Sequence, residues 1–347
     1  MKKYFKFSSL CIFIFLILLL CFPTISMKGA KSGLLLWFET ILPVLFPFMI
    51  TIRLLEDLKL TEGINRLLSP VICRIFSVSP AASFTIVSGF LCGFPLGAKS
   101  CANCVVNGSL SKEEGQYVLS FCNNVSPSFL LGYITVVLLN QEGASFFIIS
   151  ILSAIITGRM LYLVYYRKTL KRHIPTAQMH DSGTALSDTA THEPKKKQTL
   201  LQLLDRNILS CAEVLVKVGG FMILFSILSQ LAFHTVLKFQ DEIPNLIQSV
   251  LLFLCGTLEV TQGTSFVSEA ISRGMICSHF LPTEQIKIVL ILILTSFGGF
   301  SAIAQTQSVI SKSGLSIRQY SIARLVNAGI TGILCILFLK IRHLDLW

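Results

Sequence analysis

Charge is what this sequence has least of. Only 14% of its 347 residues are Asp, Glu, Lys or Arg, against about 25% in a soluble globular domain. With 53% hydrophobic residues and a mean hydropathy of +0.72, that deficit excludes a chain that lives mostly in water. Catalytic signatures are missing as well. There is no H-E-x-x-H, no G-x-S-x-G and no acidic pair in a loop that other catalytic residues accompany, so no enzyme chemistry has a visible set of residues to run on. A nucleic-acid surface is absent too: the formal charge is +11, but no basic stripe is interleaved with stacking aromatics. The cations sit beside apolar segments instead, at Lys2, Lys3 and Lys6, at Arg167, Lys168, Lys171 and Arg172, and at Lys195, Lys196 and Lys197. That placement is the bias that keeps Lys and Arg in cytoplasmic loops. The 11 cysteines form no disulfide framework, since Cys11, Cys21, Cys255 and Cys335 lie inside apolar runs. Cys101-Ala-Asn-Cys104 is a lone C-x-x-C without a second pair, and reads as a packed turn rather than a metal site.

What remains is apolar length. A membrane helix needs about 20 apolar residues, and the chain divides accordingly. Residues 1–32 hold a short apolar run from Leu10 to Phe22, an N-terminal helix or signal anchor; a signal peptide cleaved near Thr24-Ile-Ser26 is the alternative. Residues 33–166 form a first membrane repeat: a span from Gly33 to Leu55, a cytoplasmic loop carrying Arg53, Lys59, Arg66 and Arg74, a re-entrant hairpin from Ala81 through Gly93-Phe-Pro-Leu-Gly97 to Val106, a broken span from Gln116 to Asn140 and a closing span from Ser145 to Tyr166. Residues 167–199 are polar, hold His173, His180 and His192 without metal-ligand spacing, and read as a flexible cytoplasmic linker. Residues 200–347 form a second repeat. Leu200 to Val216 reads as an amphipathic segment at the interface. Val218 to Phe233 crosses, a loop with Asp241 and Glu242 follows, Ile247 to Gly263 is short, Ile286 to Gln307 is broken and Leu325 to Ile341 closes. Arg324 is placed with Lys312 and Arg318 in a cytoplasmic loop.

The halves match in order. Phe48-Met-Ile50 returns as Phe221-Met-Ile223, Phe90-Leu-Cys-Gly93 as Phe253-Leu-Cys-Gly256, Ser120-Phe121 as Ser296-Phe297, and Ala154-Ile-Ile-Thr-Gly158 as Ala328-Gly-Ile-Thr-Gly332. An odd number of crossings per half inverts the second in the membrane. The expected fold is therefore an all-α polytopic membrane protein of two inverted-topology repeats, each with a re-entrant hairpin and a broken transmembrane helix. Hydrocarbon tolerates irregular backbone only inside protein or beside water, and paired interruptions are the best pointer to a transporter site.

Candidate binding residues fall at those interruptions. Gly93, Pro95, Gly97 and Lys99 belong to the first hairpin; Asn123, Asn124, Ser126 and Ser128 to the first break; Thr257, Glu259, Thr261 and Gln262 to the second hairpin; Gly298, Gly299, Ser301 and Gln305 to the second break. Glu259 carries the strongest signal, because a carboxylate at membrane depth costs about 2.5–3.5 kcal/mol and needs a partner or a proton. Lys99 either faces an anionic solute or snorkels to the surface, and the hydroxyl residues can equally join helix to helix. No metal or cofactor is called for; Na⁺ or a proton is the candidate coupling ion. The partners are the lipid bilayer and a small anionic solute, with homo-oligomerisation open.

As an ordered set, Trp37-Phe-Glu-Thr-Ile-Leu-Pro-Val-Leu-Phe-Pro-Phe48, Gly93-Phe-Pro-Leu-Gly-Ala-Lys99, Asn123-Asn-Val-Ser-Pro-Ser128, Leu258-Glu-Val-Thr-Gln-Gly263 and Phe297-Gly-Gly-Phe-Ser301 resemble the sporulation integral membrane protein YlbJ family. That family lies within the group with nucleoside-recognition (Gate) domains, related to spore maturation proteins and concentrative nucleoside transporters. The resemblance implies the cell membrane of a spore-forming bacterium, including the membrane around the forespore, and movement of dipicolinic acid from mother cell toward forespore. A nucleoside-type transporter and a non-transporting assembly module of spore maturation are the alternatives. Nucleoside transporters typically place a carboxylate in the first broken helix, where this chain has Asn123 and Asn124. That departure counts against nucleosides, and Lys99 at the opposing turn suits an anionic solute better.

Overall fold

The computed structural model describes residues 2–58, 60–141, 143–167, 169, 199–239, 242–276 and 281–344. Nearly all of the expected linker, with its three histidines, and Asp241 lie outside the described residues. Among those described there are helices and turns and no strand, as hydrocarbon requires of backbone that must pair with itself.

The N-terminal part begins with α1 (Lys2–Cys21) and α2 (Pro23–Leu35), which runs through wide π-type turns at Leu36–Ile41 into α3 (Leu42–Asp57). The first long span is thus Pro23–Asp57, starting ten residues before the expected Gly33. Pro43 and Pro47 do not end it; the widened turns ahead of Pro43 absorb the missing backbone donors. Next come α4 (Thr61–Phe76), α5 (Pro80–Cys92) and α6 (Leu96–Val106), then α7 (Lys112–Cys122) and α8 (Phe129–Leu138), the last in π-type turns. Helix α4 occupies what reads in the sequence as a cytoplasmic loop. Helix α9 (Ser145–Leu161) continues in π-type turns to Tyr166.

After the linker, α10 (Leu200–Lys238) is a single helix of 39 residues. The expected separate interfacial segment up to Val216 does not exist. A capping box at Thr199 and Gln202 starts the helix, and its polar first turns are held by protein: Asp57 Oδ2 accepts from Arg206 Nη2 and Asn207 Nδ2, each at 2.8 Å. Then follow α11 (Asn245–Gly256), α12 (Val260–Ser272), α13 (Thr283–Phe297), α14 (Gly299–Ile310) and α15 (Ile317–Leu344). Arg324 is a helical residue two turns into α15, 1% exposed, and not part of a loop. Among the described residues five helices are long and apolar enough to cross a membrane, or six if the bent pair across Ser77–Ser79 counts as one.

Three packing relations position the site. Helices α2 and α3 lie antiparallel along α10: Gly29 abuts Ile227, Trp37 Nε1 donates to Leu215 O at 2.9 Å and Arg53 Nη1 to Ser210 Oγ at 2.6 Å. A Cβ on Gly29 would stand 2.8 Å from Ile227 Cα, so the small-residue spacing Gly29-x-x-x-Gly33 sets this close crossing. Helices α9 and α15 also run antiparallel, with Thr157 beside Asn327 at one end and Phe146 beside Phe338 at the other. Finally, α5 folds back on α6, and α11 on α12, each as a hairpin of short helices. Gly97 meets Gly89 in the first, and Gly263 meets Gly256 in the second.

Candidate functional site

Each hairpin tip is bonded to the break in the helix that follows it. In the first pair, Phe94 N–H donates to Asn124 O at 2.7 Å. In the second, Phe300 N–H donates to Thr257 O at 2.8 Å and Ser301 N–H to Leu258 O at 3.0 Å. Groups that an unbroken helix would pair internally are thus paired across to a hairpin. The breaks form for different local reasons. Between α7 and α8 the chain leaves helical geometry at Asn123 (φ −92°, ψ 78°), ahead of Pro127, which cannot donate a helical bond. Between α13 and α14 it turns at Gly298 and Gly299, with φ of +86° and +80°, a left-handed conformation that only glycine adopts without strain.

The two tips and two breaks surround one buried chamber of about 40 Å³, room for about three waters. Its polar lining is Ser126, Glu259, Thr261, Ser301 and Gln305; Phe94, Phe129, Ile41 and Met222 are among its apolar walls. Glu259 is 2% exposed. Its carboxylate caps α12, accepting from Gln262 N–H at 2.9 Å and from the Thr261 hydroxyl, where the helix N-terminus favours negative charge. Gln305 donates from Nε2 to Ser301 Oγ at 3.1 Å, and its Oε1 has no partner among the described residues.

Of the residues expected from sequence, Ser126, Glu259, Thr261, Gly298, Ser301 and Gln305 meet at this chamber. Others serve the frame around it. Asn123 is fully occupied: Oδ1 accepts from Ala98 N–H at 3.1 Å, and Nδ2 donates to Thr306 Oγ1 at 3.0 Å and Tyr320 Oη at 2.9 Å. Asn124 donates to Phe121 O at 2.7 Å and accepts from Arg324 Nη1 at 2.6 Å. The pair that reads in the sequence as a solute or cation ligand is therefore spent inside the protein, because a helix interrupted in a low-dielectric interior must have its freed groups bonded. Gln262 Nε2 likewise donates to Ser32 Oγ. Ser128 stays beside Ser126 Oγ, 3.3 Å away, and the Thr257 hydroxyl bonds Leu254 O at 2.7 Å. Gly93, Gly97 and Gly299 shape the backbone. Pro95 and the half-buried Lys99 border a second cavity of about 230 Å³.

Arg324 is the site residue that sequence reading missed. Its guanidinium joins both breaks, donating to Asn124 Oδ1, to Ser296 O and, at 3.4 Å, to Phe297 O. The last two carbonyls end α13, where the helix dipole is negative, so the buried cation is answered by carbonyls rather than by a carboxylate. A lone arginine within the apolar run Ile322-Ala-Arg-Leu-Val326 was the available signal.

Fold and site together define an integral membrane protein whose core is two helical hairpins set against two interrupted helices. Comparison with known proteins agrees. A family model described as Gate, nucleoside recognition, matches residues 38–139, which run from the first span through the first hairpin and break. The chain is 27% identical over 338 residues to the sporulation integral membrane protein YlbJ of Bacillus subtilis (strain 168), covering 92% of this chain and 78% of that protein. The resemblance carried by the ordered motifs is thus found over nearly the whole length. No solved structure matches the chain.

Proposed function

We propose that this protein is a carrier, not an enzyme, that moves a small anionic solute across a membrane of a sporulating cell by alternating access. The observation that carries the reading is the convergence of both hairpin tips and both breaks on a single chamber. Irregular backbone at membrane depth is maintained where it lines a cavity. The antiparallel run of the corresponding helices, α3 with α10 and α9 with α15, supports two halves of inverted orientation, with each hairpin entering and leaving on one side. The chamber holds only a few waters in this conformation, so admitting the solute requires it to widen.

The chamber chemistry constrains the cargo. An apolar wall with few polar groups suits a compact solute with a flat, largely apolar body. The Glu259 carboxylate would repel an anion unless a proton or Na⁺ came with it, so an anionic cargo requires coupling to a cation. Dipicolinic acid, a planar aromatic dicarboxylate, meets this description and is the substrate we propose. The nucleoside reading is favoured by one observation, the unpaired acceptor of Gln305 beside Glu259, since a neutral solute rich in donors would satisfy both.

Uptake into vesicles reconstituted with the full chain separates these readings. Dipicolinate, other dicarboxylates and nucleosides are offered with and without a Na⁺ or proton gradient. Cation-dependent accumulation of dipicolinate above the outside concentration is expected. Accumulation of nucleosides alone would reassign the cargo, and no movement of any solute would leave an assembly module. Glu259→Gln, which keeps a capping oxygen and removes the charge, is expected to leave the unfolding midpoint nearly unchanged and to cut gradient-driven accumulation by about tenfold, equivalent to roughly 1.4 kcal/mol.

A further inference from the structure

The second cavity is not part of the chamber, and its chemistry is opposite. It lies between α6, α10 and α14 and is bordered by Lys99, Lys217 and Lys312, with Glu213 as its one carboxylate. Glu213 is already committed: Lys217 Nζ lies 2.6 Å from its Oε1, one helical turn away on α10. Lys99 and Lys312 form no ion pair or hydrogen bond among the described residues, and they stand on different helices, α6 and just beyond α14. The cavity therefore presents two ammonium groups without a hydrogen-bonded partner, Lys99 within the field of Glu213 and Glu56, with Asn103 and Ser308 between apolar walls. At about 230 Å³ it is several times the chamber's volume.

Two residues, Val218 and Gln305, line both cavities. Gln305 is 4% exposed, and its Oε1 has no hydrogen-bond partner among the described residues. Because the Ser301 hydroxyl can donate or accept, a half-turn of the amide keeps the Ser301 bond and presents the NH₂ group instead of the carbonyl. The partition can thus offer a donor to a carboxylate without losing its own anchor.

We infer that this basic cavity is a separate docking site for a small soluble dianion, held by Lys99 and Lys312, from which the amide of Gln305 passes it to the chamber. The binding step stands without the carrier reading; the hand-over rests on it. The shared chemistry, two negative oxygens within reach of two ammonium groups, also occurs in a phospholipid headgroup. At its rim the Lys217 and Glu213 side chains are 58% and 68% exposed, which favours the soluble source.

The test uses the full chain in nanodiscs of phosphatidylcholine alone, titrated calorimetrically with dipicolinate and, separately, with inorganic phosphate. Wild-type protein is expected to bind dipicolinate with an affinity that falls as salt rises. Lys99→Met and Lys312→Met should each weaken binding by about tenfold, the loss of one charge-assisted hydrogen bond. Gln305→Leu should lower uptake far more than it weakens binding. Lys99→Gln is the check on folding, with the thermal midpoint recorded for every variant. Equal binding by wild type and a folded Lys99→Met/Lys312→Met protein would overturn the docking site while leaving the carrier reading intact. No binding of dipicolinate or phosphate in phosphatidylcholine alone, with lysine-dependent binding of phosphatidylglycerol instead, would mark a headgroup site and overturn the proposal too. Failure of the carrier reading looks different: intact lysine-dependent binding with no uptake of any solute.

Discussion

The two interrupted helices are built on different principles, and the contrast separates a break braced by side chains from one suited to move. The first break, Asn123 to Ser126, is held by side chains. Asn123 reaches Ala98, Thr306 and Tyr320, and Asn124 reaches Arg324, so three other helices or their termini fix it. The second, Gly298-Gly299, is held by backbone: two N–H groups on α14 bond two carbonyls of the second hairpin tip. Side-chain networks of this kind fail as units when a member is lost. A glycine hinge can swing about its dihedrals once two bonds are exchanged. The first break thus reads as the frame and the second as the moving part. Arg324, bonded to both, is the joint between them.

Removing that joint is expected to have the largest effect. Arg324→Met strands Asn124 Oδ1, Ser296 O and Phe297 O in a dry interior, at a cost of about 3–5 kcal/mol, read as a large drop in the unfolding midpoint in detergent. A change under about 1 kcal/mol would mean that the breaks are held independently, and the contrast would fail. Gly299→Ala is intermediate. Its φ of +80° and the 3.2 Å approach of a Cβ to Thr257 O and Val260 N predict about 1–2 kcal/mol of destabilisation, together with slowed uptake because the hinge is strained. Unslowed uptake would move the hinge elsewhere. Pro127→Ala should matter least, under about 1 kcal/mol, because the side-chain network holds the first break open even without the proline that helps to start it. A substantially stabilised protein with uptake lost would show instead that Pro127 alone prevents a continuous helix.

Much of the architecture was legible in the sequence because membrane helices are governed by local rules. The hairpin turn at Gly93 to Gly97, the break at Asn123 to Pro127 and the Gly298-Gly299 turn could each be placed from residue types whose backbone chemistry is unambiguous. Glu259 was legible because a carboxylate in an apolar run demands an explanation, and the structure places it against the chamber. Asn123 and Asn124 were correctly located at a break but not in use: the sequence cannot say whether an amide's partners will be solute or protein. The interfacial segment before Val218 failed for a related reason. Asp205, Arg206 and Glu213 look like residues that need water, and Glu213 stays 68% exposed, yet Asp57, 149 residues from Arg206 in sequence, pairs with Arg206 and the segment continues unbroken as α10.

What the sequence determined by itself is where the chain crosses and where it must stop being helical, since apolar length, glycine and proline act on their own few neighbours. What only the tertiary structure decided is which polar groups are left over. Arg324 and Asn124 consume one another across 200 residues, Asn123 is taken up by Ala98, Thr306 and Tyr320, and Gln305 keeps an unpaired atom at the wall between an acidic chamber and a basic cavity. Burial makes every unpaired group costly, so function collects at the few that packing leaves without a protein partner.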